Sequence, residues 1–125
     1  MSSPQKHQVV VIDDNCDAAD TFAMFLDLDG HQVHTEYSGA DGVDAIRAHR
    51  PDIIFCDIGM PGMNGYDVAC AVRRLDHGYR PLLVATTGWG DEETRRQTAA
   101  AGFDLHLVKP LMLAEVQAIL QGRNV

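Results

Sequence analysis

Carboxylates, hydroxyls and one amine recur in this chain at one kind of place, directly after a short apolar run. Asp13-Asp14 follows Val9-Val10-Val11-Ile12, and Asp57 follows Ile53-Ile54-Phe55-Cys56. Thr86-Thr87 follows Leu82-Leu83-Val84-Ala85, and Lys109-Pro110 follows Leu105-His106-Leu107-Val108. Carboxylates brought together repel one another and raise one another's pKa unless a cation sits among them. An all-oxygen donor set suits Mg²⁺, Mn²⁺ or Ca²⁺ rather than zinc, and Mg²⁺ keeps waters and leaves positions for phosphate oxygens. A carboxylate beside such an ion can attack phosphorus and give an aspartyl-phosphate. Lysine and hydroxyl donors nearby would then neutralise the oxygens of the transferred group, the main task in phosphoryl transfer.

That chemistry requires the runs to be neighbours, and the pattern between them supplies the means. A fifth run, Gln32-Val33-His34-Thr35-Glu36, alternates apolar and polar residues, as an edge strand with one wet face does. Three of the others are continuously apolar, as parallel strands covered on both faces are, and the mixed run Leu105-His106-Leu107-Val108 fits the other edge. Helical spacing separates them. Ala18, Phe22, Phe25 and Leu26 form one stripe, and Ser38-Gly39-Ala40-Asp41 resembles a capping box opening a helix with Val43 and Ile46. Asn64 can cap a third helix carrying Val68, Val72 and Leu75, and Leu113, Val116, Ile119 and Leu120 line the last. The fourth, Asp91 to Ala101, has only Thr and Ala to bury and should grip weakly. Gly102 is placed as its left-handed stop, with Phe103 folding back. Alternating β and α units predict an α/β fold with right-handed crossovers and a doubly wound parallel sheet. In such sheets ligands bind beyond the carboxyl ends of the strands, where the candidate residues would then meet.

Composition narrows the function. The 125 residues fit a single domain over 1–125. A formal charge of -8 argues against nucleic-acid binding, because the phosphate backbone would be repelled. Cys16, Cys56 and Cys70 form no CxxC pair, as expected of free thiols in a reducing compartment. No apolar run approaches the roughly 18 residues of a membrane span, and the polar N-terminus has no signal core, so the expected location is the cytoplasm. The six histidines lack ligand spacing and read as surface or edge residues, the methionines as loop packing, and Cys56 as a buried strand thiol.

Taken together, Asp13-Asp14, Asp57-Ile-Gly-Met-Pro-Gly-Met-Asn-Gly65, Thr87-Gly88 and Lys109-Pro110 resemble the receiver domain of bacterial two-component response regulators, from about Gln8 to Leu120. The resemblance implies a flavodoxin-like (βα)5 sheet in the order 2-1-3-4-5. It implies Asp57 as phospho-acceptor, with Mg²⁺ (or Mn²⁺) held by Asp13, Asp14, Asp57 and the Gly59 backbone carbonyl. Thr87 would be the switch hydroxyl and Lys109 the amine that bonds the phosphoryl group, aimed by a cis Lys109-Pro110 bond. Strand alternation leaves one of the two threonines facing the site, and the Thr-Gly pairing selects Thr87. His106 stands where many relatives place a switching Tyr or Phe, Leu111 where Phe is frequent, and Gly59 and Trp89 where phosphoryl lifetime is tuned.

Implied partners are a sensor histidine kinase or histidine phosphotransfer domain, and a downstream protein or output domain; no nucleic acid and no membrane are expected to bind. The domain would catalyse only the phosphorylation and dephosphorylation of its own aspartate. It would be a stand-alone regulator or a receiver excised from a hybrid sensor kinase. The rival phosphatase of the haloacid-dehalogenase type needs a second Asp two residues after the nucleophile, and Gly59 occupies that position. A nucleotide- or flavin-binding module would show a glycine-rich anion cradle, which carboxylates replace here.

Overall fold

The computed structural model describes residues 6–76 and 78–122. Residues 1–5, His77 and residues 123–125, included in the expected 1–125 domain, lie outside the described residues. Five strands, β1 (Gln8–Ile12), β2 (Gln32–Glu36), β3 (Ile53–Asp57), β4 (Leu82–Thr87) and β5 (Leu105–Val108), alternate with five helices. The helices are α1 (Cys16–Leu28), α2 (Gly39–His49), α3 (Gly65–Arg73), α4 (Glu92–Ala101) and α5 (Leu113–Leu120). Every strand pairing is parallel, in the order β2-β1-β3-β4-β5, the flavodoxin-like arrangement expected. Asp57, Thr86 and Thr87 close their strands rather than follow them.

Alternation along the central strands builds two apolar layers. Val10, Ile12, Ile54, Cys56, Leu83 and Ala85 pack with Val43, Ile46, Val68 and Val72 from α2 and α3. The intervening Val9, Val11, Ile53, Phe55 and Val84 pack with Leu26, Val116, Ile119 and Leu120 from α1 and α5. β3 is buried throughout, whereas no residue of the edge strand β2 is. Two of the expected apolar stripes differ at one residue each. Ala19, not Ala18, is the buried alanine of α1, and Leu113 is 53% exposed. Ala18 and Leu113 instead line an open cleft between α1 and the β5–α5 connection.

Caps fix where the helices begin. Asn15, Ser38, Asn64 and Asp91 each accept from the backbone N–H three residues on, and Asn64 with Asp67 forms the reciprocal box. Gly65 brings α3 against the end of β3: a Cβ there would lie 2.6 Å from the Asp57 carbonyl oxygen.

α4 buries only Thr98, so its apolar hold on the sheet is as small as its composition implies. Its C-terminal end is secured differently. Gly102 caps it at φ 115° and Phe103 is buried in the α2–α3 layer. The Arg73 guanidinium donates to the Gly102 carbonyl from Nε (3.0 Å) and Nη2 (2.7 Å), to the Pro81 carbonyl at 3.1 Å, and to Asp104 at 2.9 Å.

Candidate functional site

The first candidates meet because β1 and β3 are adjacent and in register, Ile12 opposite Cys56, so both strands end at one level. Ligand atoms of Asp13, Asp14 and Asp57 all lie within 4.8 Å of one another. Asp13 and Asp57 are buried and Asp14 is exposed, which leaves the cluster open to solvent on one side. Lys109 arrives from the far edge: its backbone N–H donates to the Thr87 carbonyl at 2.8 Å as the chain leaves β5. The Lys109-Pro110 peptide is cis, as the family resemblance implied. The Lys109 ammonium lies 3.0 Å from Asp13 Oδ2 and 3.3 Å from Asp57 Oδ1. Asp13 Oδ1 also accepts from the Asn15 N–H at 3.0 Å.

These neighbours act on protonation in opposite senses. Burial raises the pKa of Asp57; Lys109 opposes this, and Asp13 and Asp14 add to it, with a net upward shift. For Lys109, burial is the largest single influence and favours the neutral amine. It is outweighed by the hydrogen bond to Asp13 and the charges of Asp57 and Asp13, which together raise the pKa. One ammonium thus serves two buried carboxylates and a third anion stands beside them. The site carries excess negative charge.

The two threonines have different surroundings. Thr86, the register partner of Asp57, opens into the α1 cleft together with Asp13 and Lys109. Thr87 lies one residue on, and its hydroxyl accepts from the Trp89 N–H at 3.3 Å. The Trp89 carbonyl is held in turn by His106, whose Nε2 donates at 3.0 Å. The other ring nitrogen, Nδ1, is 3.1 Å from the Thr98 hydroxyl of α4. The backbone N–H and carbonyl of Trp89 therefore join Thr87 on one side to His106 and α4 on the other. This linkage was not foreseen, since it is made by backbone groups that residue types do not reveal. Replacing His106 with Phe removes both polar contacts. His106→Phe is expected to cost about 1–2 kcal/mol of stability in urea unfolding, with faster amide exchange at residues 89 to 91. Unchanged exchange there would show that His106 does not hold the loop.

Gly59 is exposed, and a Cβ on it would meet nothing within 4 Å. Trp89 is 70% exposed at the rim. Cys56 is buried and its thiol is pushed far up, first by burial and then by Asp57 and Asp13, so it packs and does not react. Met60 is buried and Met63 packs against the core, as expected of loop packing. Two of the histidines depart from the expected surface or edge placement. His7 and His31 are buried, 9% and 5% exposed, because the start of β1 and the start of β2 lie side by side under the end of α5.

A doubly wound sheet in this order, with an acidic cluster and a lysine at its carboxyl edge, defines the chemotaxis-regulator type of signalling fold. The family model for the response regulator receiver domain matches residues 9–121, and the chain belongs to that family, which works in two-component signalling. The transcriptional regulatory protein PrrA of Mycobacterium tuberculosis is 34% identical over 121 residues, which cover 94% of this chain and 51% of PrrA. PrrA of Mycobacterium leprae is 35% identical over 128 residues, covering 99% and 53%. The chain spans about half the length of these curated relatives. Chemotaxis protein CheY4 of Vibrio cholerae has the same fold, with a TM-score of 0.86 at 24% identity and coverage of 98% and 100%. The receiver domain of the histidine kinase CKI1 from Arabidopsis thaliana, solved in complex with Mg²⁺, matches at TM-score 0.77 and 29% identity over 88% of each chain. Among the described residues, no helix is long and apolar enough to cross a membrane.

Proposed function

We propose that Asp57 accepts a phosphoryl group from a phosphohistidine on a sensor histidine kinase or histidine phosphotransfer domain. The observation that carries this reading is the joint placement of Asp57, Asp13 and Lys109, with one ammonium bridging two buried carboxylates beside a third. In the transfer, an Asp57 carboxylate oxygen bonds phosphorus while the donor's P–N bond breaks. The imidazole leaves with the electron pair and takes up a proton from water. Lys109 moves its hydrogen bonds from Asp57 to the arriving oxygens, and the Thr87 hydroxyl turns from the Trp89 amide to donate to them. The open space beside Gly59 leaves room for the donor ring.

The donor set fits a hard divalent cation: only oxygens, within reach of one another, one of them exposed to solvent. Asp13, Asp14, Asp57 and the Gly59 carbonyl would hold Mg²⁺, or Mn²⁺. When bound, the ion supplies positive charge for the phosphoryl oxygens at the rim where this chain is otherwise too negative.

Departure of the Thr87 hydroxyl undoes one side of the residue-89 linkage, and the loop with His106 and α4 takes a second arrangement. The surface of α4, β5 and α5 then presents a changed face to a downstream protein or output domain. The domain acts in the cytoplasm and turns over no substrate other than its own aspartyl-phosphate. The likeness to CKI1 supports a second reading of context, in which the chain serves as the receiver of a hybrid kinase.

The test is a time course with acetyl phosphate, followed by intact mass and peptide mapping. Uptake of one phosphoryl group at Asp57 is expected with Mg²⁺, and chelation should slow it at least about a hundredfold, the scale of several kcal/mol of lost charge stabilisation. Equal rates with and without the metal would end this reading.

A further inference from the structure

At the pole of the sheet away from Asp57, where the strands begin, His7 and His31 stack with ring centroids 5.4 Å apart and planes 24° from parallel. The His7 backbone N–H donates to His31 Nδ1 at 3.0 Å. That nitrogen therefore carries no hydrogen, and His31 is the neutral ring protonated on Nε2, which lies 3.6 Å from Asp29. His7 is placed differently. Its Nδ1 is hydrogen-bonded to the Asp52 carboxylate, and its Nε2 lies 2.5 Å from the carbonyl oxygen of Leu120, the last residue of α5. A carbonyl only accepts, so Nε2 carries a hydrogen. The contact with Asp52 needs a second one, and that carboxylate already accepts from the Gln8 N–H at 2.7 Å.

We infer that His7 and Asp52 hold one extra proton between them, and that this proton closes a clasp on the C-terminal end of α5. α5 has no basic residue in its last turn, and its one acidic residue, Glu115, lies in the first. The imidazolium of His7 supplies the positive charge that the carbonyl end of a helix favours. Among the described residues, the charged and titratable groups around the ring are Asp52 at the entry to β3, His31 with Asp29 behind it at the entry to β2, and Lys6, exposed, just before it. α5 itself brings only the Leu120 carbonyl. A neutral His7 has one hydrogen for two acceptors, so losing the proton sets Nδ1 and the Asp52 carboxylate lone pair to lone pair, or frees Leu120. The clasp gives proton concentration a hold on α5 without involving Asp57. Only the consequence for signalling rests on the α4–β5–α5 reading above.

The test follows the histidine ring nitrogens of the ¹⁵N-labelled chain by long-range proton–nitrogen spectra from about pH 6 to about pH 9. Near neutral pH, His7 should show two protonated nitrogens and His31 one. Loss of the His7 proton should coincide with roughly five- to tenfold faster amide exchange at Gln121 and Gly122, after correction for intrinsic rates, the scale of one hydrogen bond. His7→Gln should show the fast exchange at every pH, and Asp52→Asn should make His7 neutral near pH 7. A singly protonated His7 ring near neutral pH, or protection at Gln121 and Gly122 that ignores the ring's titration, would overturn the proposal. Should His7→Gln fail to fold, the wild-type titration and Asp52→Asn decide alone. No arm uses phosphorylation, so this result and that of the acetyl phosphate experiment stand separately.

Discussion

Asp57→Asn is expected to lose phosphoryl uptake altogether and, in the absence of metal, to melt higher than the wild type. The amide keeps the shape of the carboxylate and removes both its nucleophilicity and its charge. That charge is unfavourable where it sits: burial raises the Asp57 pKa, Asp13 and Asp14 add to the shift, and Lys109 offsets only part. A carboxyl whose folded pKa is raised stabilises the fold in its protonated form, and that contribution is lost as pH rises through the raised value. At neutral pH the wild type therefore carries the penalty and the variant does not. A difference of about 1 kcal/mol corresponds to a rise of roughly 3–5 °C for a chain of this size. Acidification into the carboxylate range should shrink the gap. Saturating Mg²⁺ should reverse the order, since a ligand at a hundred times its Kd adds about 2.7 kcal/mol and the variant lacks one ligand oxygen. Intact mass after acetyl phosphate and thermal scans with and without Mg²⁺ check both halves. A metal-free variant that melts lower than the wild type would contradict the electrostatic account.

Lys109→Ala should separate metal binding from chemistry. The ammonium touches Asp13 and Asp57, and its raised pKa shows that the two anions outweigh the cost of burying it. A raised lysine pKa marks stability that is fully present below the ordinary lysine value of 10.5 and lost as pH rises through the folded one. At neutral pH the whole contribution is lost on substitution. The side chain is 34% exposed, so solvent screening limits the loss to about 1–2 kcal/mol in the metal-free domain. Mg²⁺ no longer competes with the ammonium for those oxygens and should bind more tightly. Phosphoryl uptake should nevertheless slow by about a hundredfold, the usual effect of removing one donor aimed at developing charge. Calorimetric titration with Mg²⁺ and the acetyl phosphate time course measure the two directions. Uptake at the wild-type rate would show that the amine does not act on the transferred oxygens.

Sequence pattern carried the fold because three apolar runs and two mixed ones, all of strand length and separated by helical spacing, fit one sheet. The residues that end those runs then had to share an edge. Asp13, Asp14, Asp57 and Lys109 were legible for that reason. The stripe errors at Ala18 and Leu113 arose because both face a cleft rather than a neighbouring element, and spacing alone does not distinguish the two. His7 and His31, expected at the surface or an edge, are buried because His7 meets the end of α5, more than a hundred residues further on, and His31 stacks on His7. His106 was picked out by its position, but its partners are the Trp89 carbonyl and Thr98. The first of these is main chain, which looks alike at every residue.

The Arg73 tie at Gly102 has a mechanical corollary. In the switch proposed above, a rod fixed at one end would move as a lever, with the fulcrum of α4 at the end where the guanidinium grips. Travel in that switch would be greatest at Asp91 and fade toward Ala101. A protein that senses such a tilt would meet most of it at the exposed charges of Glu92, Glu93 and Arg96, since the end of the helix away from the guanidinium is also its most charged stretch.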